Sequence, residues 1–226
     1  MQKNIPCPLG VELPAQIDLV EAARYFGARG QPDPGTLALL ERCAGPLLKA
    51  AAPRAVWLRA GRESLSGLIR GKDAEKHLAG CGECVLLAVT LGAGVDEAIR
   101  RLGVGDIAAG VAADALASAL AEQVCDAAEA ALRQLAAGES LYLTGRFSPG
   151  YGDWPIQVQP ELARLLDTPR RIGLCVTDSF LMTPRKSVTA VLGLSEQPVT
   201  GWRAGCGQCA LREKCEYRKR GQTCEG

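Results

Sequence analysis

The residues best suited to chemistry lie in one short stretch, Arg146-Phe147-Ser148-Pro149-Gly150-Tyr151, followed by Gly152-Asp153-Trp154-Pro155. Its two Pro, two Gly and one Ser cannot continue a helix or lie in the middle of a sheet. Arg146 offers a planar set of donors that suits a carboxylate, and the Tyr151 ring offers a flat wall. The stretch therefore predicts either a rigid loop that binds a small anionic or zwitterionic ligand, or a tight loop whose Tyr and Trp cover the core.

A second chemical group closes the chain, with four Cys at positions Cys206, Cys209, Cys215 and Cys224. So short a segment, rich in Gly and charged residues, cannot build a core of its own, so a metal is its natural organiser. The Cys-x2-Cys start suits tetrahedral zinc or an iron–sulfur cluster. The uneven spacing of the other two favours [4Fe–4S], and the alternative is a flexible tail of free thiols.

The other cysteines have no such spacing. Cys81 and Cys84 stand close together, but Cys84 enters an apolar strand, which indicates a core residue more than a ligand. The isolated cysteines are expected to be packing residues: Cys7, Cys43, Cys125 and Cys175.

Composition narrows the classes of partner. The 226 residues carry 26 basic and 25 acidic side chains, so no long-range field would attract nucleic acid or an anionic membrane. The N-terminus has no apolar run typical of a secretory signal, and no membrane span is expected. A cytoplasmic location follows, where ten Cys favour metal or redox chemistry over disulfides. A single His, His77, argues against His-based catalysis.

The N-terminal half predicts alternating helices and strands. Asp18 can cap a helix that ends at Gly27, and Thr36 can cap a second helix that Gly45-Pro46 must kink or split. Strands are predicted at 54–59 and 85–91. Gly92-x-Gly94 after the second strand resembles the start of a dinucleotide fingerprint, but Glu97 stands at the third Gly position, so these glycines are interpreted as turn residues.

The longest predicted helix runs from Asp106 to about Leu135 and carries two faces. Leu116, Leu120 and Val124 form an apolar face, while Asp114, Ser118, Glu122 and Asp126 recur at steps of four along another edge. By itself such a carboxylate stripe is most often a solvated face.

The C-terminal half predicts a strand at 141–144, a helix from Pro155, and a hairpin made of strands 171–182 and 187–194. Helices and antiparallel strands in this order indicate an α+β fold with a twisted antiparallel sheet packed with helices, followed by the short Cys-rich segment.

Two motifs together resemble the activation domain of cobalamin-dependent methionine synthase. Arg146-x-Ser148-Pro149-Gly150-Tyr151 is similar to that family's Arg-Pro-Ala-Pro-Gly-Tyr. Thr177-Asp178-Ser179-Phe180-x-Met182-x-Pro184-x-x-Ser187-Val188 is similar to its Thr-Glu-Ser-Phe-x-Met-x-Pro-x-x-Ser-Val, at a similar separation. The match covers roughly residues 105 to 194, and the Leu120-Ala121-Glu122 helix also resembles the family helix before the first motif.

The resemblance implies a site for S-adenosylmethionine and a role in rescuing cobalamin that has oxidised to cob(II)alamin, by trapping its one-electron reduction through methylation. Arg146 would pair with the methionyl carboxylate, Ser148 and Gly150 would contribute loop backbone, and Tyr151 would contribute its ring. Glu122 would take the ammonium group or a ribose hydroxyl, which would give the carboxylate stripe a role.

The sequence also departs from the family. An acidic ligand contact in the N-terminal part has no identifiable counterpart, and Glu139 is an offset candidate for a second one. Asp153-Trp154-Pro155 stands where the family has Ala-Cys-Pro. No Asp-x-His-x-x-Gly motif for the lower ligand of a corrinoid is present, so the corrinoid is expected on a separate methyltransferase or methionine synthase module, with this chain a stand-alone activator or subunit.

Three hypotheses follow. The first is an S-adenosylmethionine-binding reactivation protein built from an N-terminal part (1–104), an activation core (105–200) and a metal-binding tail (201–226). The second is a small iron–sulfur or zinc protein that carries electrons or docks a partner. The third, an S-adenosylmethionine methyltransferase for a small acceptor, is disfavoured because no Gly-rich nucleotide loop is present.

Overall fold

Helix caps and hydrophobic spacing set most elements of this chain. The computed structural model describes residues 4–28 and 30–201. Within that part the helices are α1 Leu19–Phe26, α2 Pro34–Ala50, α3 Lys72–His77, α4 Ala93–Gly103, α5 Ile107–Ala137, α6 Gln159–Leu165 and α7 Thr168–Ile172. The strands are β1 Cys7–Leu9, β2 Arg54–Gly61, β3 Glu83–Thr90, β4 Tyr142–Leu143, β5 Cys175–Val176, β6 Met182–Thr183 and β7 Ser187–Ser195.

The first helices begin at acidic caps. Asp18 accepts hydrogen bonds from the Val20 and Glu21 backbone at the start of α1, as the sequence predicts, and Gly27 ends α1 in the left-handed conformation. The predicted cap of α2 is wrong, because the cap is Asp33 and not Thr36. Of the two predicted effects of Gly45-Pro46, the split does not occur, since Pro46 lies inside one continuous helix.

An antiparallel five-stranded sheet forms the centre, in the order β1-β2-β3-β7-β4. Along β2 and β3 the side chains alternate between the two faces, as the period of two in a strand requires. Trp57 and Leu87 face one core, whereas Leu58 and Leu86 face the other. Helices α1, α2, α4 and α5 cover the first face, and α3, α6 and α7 contribute to the second core, so the sheet lies between two helical layers. The predicted α+β class is confirmed.

Helix α5 is the central helix of the first layer. Asp106 caps it, and its predicted apolar face, Leu116, Leu120 and Val124, is fully buried. By length and composition alone α5 could cross a membrane, but here it packs against α1, α2, α4 and the sheet. Small residues allow this close packing, because a Cβ at Gly110 would lie 2.8 Å from the Gly103 Cα in α4.

The predicted hairpin of 171–182 with 187–194 is wrong. Strand β7 pairs with β3 and β4, and its predicted partner run instead contains the end of α7, a turn and the two short strands β5 and β6, which pair with each other. Gly173 and Phe180 adopt positive φ values of 70° and 63°, which a continuous strand cannot contain. The apolar composition of this run is typical of a strand, but turns in its backbone interrupt it.

The cysteines of the described residues divide by burial. Cys43, Cys81, Cys84 and Cys125 are buried, and burial raises the pKa of Cys84 and of Cys125 to about 12, so both are inert thiols. Cys7 is partly buried. The prediction for Cys175 is wrong, because its side chain is exposed in β5.

Candidate ligand-binding site

The loop that follows β4 is fixed to the sheet at Phe147. Its backbone exchanges two hydrogen bonds with Val191 of β7, at 2.9 and 2.8 Å. The Phe147 ring stacks on His77, at a centroid distance of 5.0 Å, and on Trp154, at 6.0 Å. Because this ring is buried and packs against two others, the start of the loop is fixed to the core.

Beneath the loop lies a buried polar cluster. His77 is 2% exposed, and its Nε2 lies 2.8 Å from the Gly145 carbonyl oxygen and 3.1 Å from the Thr144 hydroxyl. The same hydroxyl accepts a hydrogen bond from the Gly193 amide of β7. The single His of the sequence therefore supports the base of the loop from inside the core.

Glycines form the turns at the tip of the loop. Gly150 and Gly152 have positive φ values of 91° and 54°, which favour glycine, and the Gly150 amide donates to the Trp154 carbonyl at 2.8 Å. A Cβ at Gly152 would lie 2.6 Å from an Asp73 carboxylate oxygen. The close approach of α3 therefore requires a glycine at the tip.

Asp153 explains one departure from the family motif. Its carboxylate accepts hydrogen bonds from the Lys72 and Asp73 amides, at 2.7 and 2.9 Å, and so caps α3 from a distance of about eighty residues in sequence. The Asp73 amide first, then the Lys72 amide, hold the pKa of Asp153 below its ordinary value. The Asp here joins the loop to α3.

The two aromatic residues of the loop have different surroundings. Trp154 is 1% exposed and donates its indole N–H to the Leu68 carbonyl at 3.0 Å, so it covers the core. Tyr151 is 62% exposed beside the loop, where its ring is available to a ligand. Trp154 therefore covers the core, as the structural interpretation of this loop predicts, whereas Tyr151 is exposed, as the ligand-binding interpretation predicts.

Arg146 forms ion pairs with three carboxylates of α5. Its Nη1 lies 3.0 Å from Glu129, and its Nη2 lies 2.7 Å from Asp126 and 3.2 Å from Glu122. Burial lowers the pKa of Arg146, but the hydrogen bond to Asp126 and the surrounding negative charges outweigh this effect and raise it, so the guanidinium stays protonated. These partners leave the cluster with an excess of negative charge.

Glu129 is held in turn by a second arginine. Arg133 donates to Glu129 at 2.6 Å and to the Leu143 and Thr144 carbonyls at 2.5 and 3.1 Å. The Arg133 side chain thus joins α5 to the end of β4. These hydrogen bonds of Arg133 hold the Glu129 carboxylate in its position beside Arg146 Nη1.

The carboxylate stripe of α5 is therefore more than a solvated face. Near its N-terminal end, Lys186 lies 3.0 Å from Asp114 and donates to the Ser118 hydroxyl at 2.8 Å. Further along, Glu122 and Asp126 meet Arg146. The stripe fixes α5 to two segments of the C-terminal half, both of which carry the family motifs.

A cavity of about 760 Å³ opens between the loop, α5, the start of α6 and β7. Four of the predicted site residues line it together with Glu122: Arg146, Ser148, Gly150 and Tyr151. The second motif also reaches it through Met182, Ser187 and Val188. The structure thus brings all five predicted site residues, and both motifs, to one cavity.

A neighbouring cavity of about 530 Å³ shares Glu122 and Tyr151 with the first and extends to α1. Its α1 side contains Glu21 and Tyr25, which the sequence alone did not indicate as site residues. Burial, then the charges of Glu122 and Glu21, raise the pKa of Tyr25. The packing of α1 on α5 thus brings two carboxylates of the N-terminal part, Asp18 and Glu21, to the same cavity as Glu122.

Two predicted features do not join this site. Glu139 pairs with Arg59 at 2.6 Å and lines neither of the two cavities, so the structure does not bring this candidate to the site. The tail cysteines Cys206, Cys209, Cys215 and Cys224 lie outside the described residues, and within 4–28 and 30–201 no group of three or more metal-ligating side chains is found. The metal remains a prediction from the spacing.

A family model described as the vitamin B12 dependent methionine synthase activation domain matches residues 64–220. The chain belongs to this family. The match extends beyond both motifs and confirms the resemblance. The sequence matches no curated protein.

The fold of this activation domain is also that of a solved structure, the crystal structure of the MetH reactivation domain bound to AdoHcy. The TM-score is 0.60, and the alignment covers 98% of this chain and 87% of the other at 16% sequence identity. At this identity the likeness concerns the fold. It includes the N-terminal hundred residues, in which the sequence motifs were lacking.

Proposed function

We propose that this activation domain binds S-adenosylmethionine in the cavity beside Arg146 and supports reductive methylation of the corrinoid of a methionine synthase. The observation that carries the proposal is the position of Arg146. Its guanidinium lies on a loop fixed to the sheet, at a cavity that both family motifs line. Family membership supplies the reaction class.

The cavity suits such a ligand in size and chemistry. Its 760 Å³ falls within the roughly 300–1,000 Å³ of small-molecule sites. Apolar side chains, among them Phe147, Ile156 and Met182, line it beside the charged Arg146 and Glu122. A ligand with one flat apolar ring and one zwitterionic end would match both parts. The similar solved fold, by its title, binds AdoHcy, which supports a related ligand here.

The charges suggest how the zwitterionic end would bind. Asp126 is the most exposed of the three partners of Arg146, with 72% of its side chain accessible, so solvent weakens this ion pair most. The methionyl carboxylate would replace Asp126 at Arg146. Glu122 would receive the ammonium group or a ribose hydroxyl, Ser148 and Gly150 would present backbone groups, and Tyr151 would cover the ligand.

S-adenosylmethionine, when bound, supplies its sulfonium methyl group as the equivalent of a methyl cation. One electron from an external one-electron donor and this methyl cation together convert cob(II)alamin to methylcobalamin, and S-adenosylhomocysteine remains. The residues of this chain bind and orient the methyl donor. We propose that the corrinoid is bound outside these 226 residues, which contain no Asp-x-His-x-x-Gly motif.

The test is calorimetric titration of S-adenosylmethionine into wild-type protein and into Arg146→Ala. Loss of a carboxylate-paired arginine should weaken binding by about 2 kcal/mol, roughly thirtyfold. Arg170→Ala, at an exposed position on α7, serves as the control and should bind like wild type.

Arg146→Lys separates ligand binding from folding, because it keeps a positive charge among the three carboxylates but loses the planar fork. It should remain folded and still bind more weakly. Two outcomes would contradict the proposal: both Arg146 variants bind S-adenosylmethionine as tightly as wild type does, or wild type does not bind it at all.

A further inference from the structure

A buried glutamine lies at the wall of the cavity without a complete set of hydrogen bonds. Gln159 begins α6 and is 2% exposed. Its Oε1 accepts a hydrogen bond from the hydroxyl of Thr189 on β7, at 2.9 Å. Both residues line the 760 Å³ cavity. With Oε1 on the Thr189 hydroxyl, Nε2 is the end of the carboxamide that does not face Thr189.

The other end of the carboxamide is unsatisfied. Among the described residues, Gln159 Nε2 has no hydrogen-bond partner. In the same part of the chain, Asp96 Oδ1 is the only side-chain polar atom that has no hydrogen-bond partner and is also fully shielded from solvent. Gln159 Nε2 is therefore accessible, and because the residue lines the cavity, the cavity is where this donor is available.

An accessible donor on a buried side chain suits a polar ligand. Gln is rarely so buried, and its one accessible donor can exchange water for an acceptor atom of a ligand. The neighbouring wall contains Phe147, Ile156, Met182 and Val188, which suit the face of a flat ring. A fixed donor beside a flat apolar slot matches an aromatic ring that carries acceptor atoms at its edge.

We propose that Gln159 is a specificity-determining residue that recognises the adenine ring, with its Nε2 donating to a ring nitrogen. The inference rests on the proposed function, since it assigns one half of the same ligand. Arg146 then binds the amino-acid half, and Gln159 binds the nucleoside half. Thr189 is a positioning residue, because its hydroxyl bonds the carboxamide and holds it at the cavity wall.

The experiment compares two variants with two ligands. S-adenosylmethionine contains both halves, whereas methylthioadenosine lacks the amino-acid half. Gln159→Leu, of nearly the same size, should weaken binding of both ligands by about tenfold. Arg146→Ala should weaken binding of S-adenosylmethionine alone. Gln157→Leu, two residues earlier and exposed, is the matched control and should change neither affinity.

The ring contact itself is tested with adenosine analogues in which N1, N3 or N7 is replaced by CH. One of the three should bind the wild type more weakly and should lose nothing further in Gln159→Leu. Unchanged binding of both ligands to Gln159→Leu would overturn the inference, as would three analogues that all remain sensitive to this substitution. A wild type that binds methylthioadenosine but shows no Arg146 dependence would contradict the assigned role of Arg146 and leave that of Gln159 standing.

Discussion

At the residue scale, the site is defined by an arginine that already has partners. One guanidinium faces Glu122, Asp126 and Glu129, so a neutral ligand would gain little from it. A zwitterion can exchange charges instead: its carboxylate replaces one acidic side chain, and its ammonium compensates the carboxylates that remain. The excess of negative charge around Arg146 thus favours ligands that carry both signs.

If the ligand carboxylate replaces Asp126 at Arg146, a substitution that removes the Asp126 charge should increase the affinity for S-adenosylmethionine. Asp126→Asn removes the charge that competes with the ligand carboxylate for Nη2, so S-adenosylmethionine should bind a few times more tightly. Asp114→Asn is the control, since Asp114 lies on the same stripe but pairs with Lys186. Calorimetry on the three proteins measures the difference. Weaker binding by Asp126→Asn would show that Asp126 positions Arg146 instead of competing for it.

At the element scale, the local signals of the sequence predict some elements and miss others for physical reasons. The Asp18 and Asp106 caps and the apolar face of α5 depend on neighbours within a few turns, so pattern alone finds them. Strand β7 depends on β3, about a hundred residues away, and nothing local indicates this pairing. Nothing local indicates the ion pairs of Arg146 with α5 either. The acidic stripe of α5 itself, however, is visible in the sequence.

The connection between the loop and α3 predicts a pH-dependent stability. The pKa of Asp153 is lowered in the folded chain, so its stabilising effect is present above the unfolded pKa and is lost as pH falls through the folded one. Asp153→Ala should therefore lower the thermal unfolding midpoint at pH 7. The difference from wild type should shrink as pH falls below about 4.

Glu196→Ala, at an exposed position after β7, is the control for this pH series. Its unfolding midpoint should follow that of wild type. A difference between Asp153→Ala and wild type that persists unchanged into acid would show that the carboxylate charge does not hold α3.

At the scale of the whole molecule, the cavity is built by elements from both halves of the chain. Helix α5 lies against α1, α2 and α4 on one side and faces the loop and β7 on the other. The N-terminal hundred residues carry no clear motif, but they place Glu21 and Tyr25 beside Glu122. The acidic wall of the site is therefore a product of tertiary packing, which the linear sequence could not show.

Overall charge makes a prediction about the corrinoid partner. With a formal net charge of +1 the chain has no long-range field, so association with the corrinoid-carrying module should depend only weakly on salt. Mixed with that module, S-adenosylmethionine and a one-electron reductant, the chain should increase the rate at which methylated corrinoid appears in the visible spectrum. Arg146→Ala should lose most of this increase, whereas Gln157→Leu should keep it. If wild-type protein binds S-adenosylmethionine but gives no increase at any salt concentration, the assignment of the ligand stands and that of a corrinoid bound outside these residues is wrong.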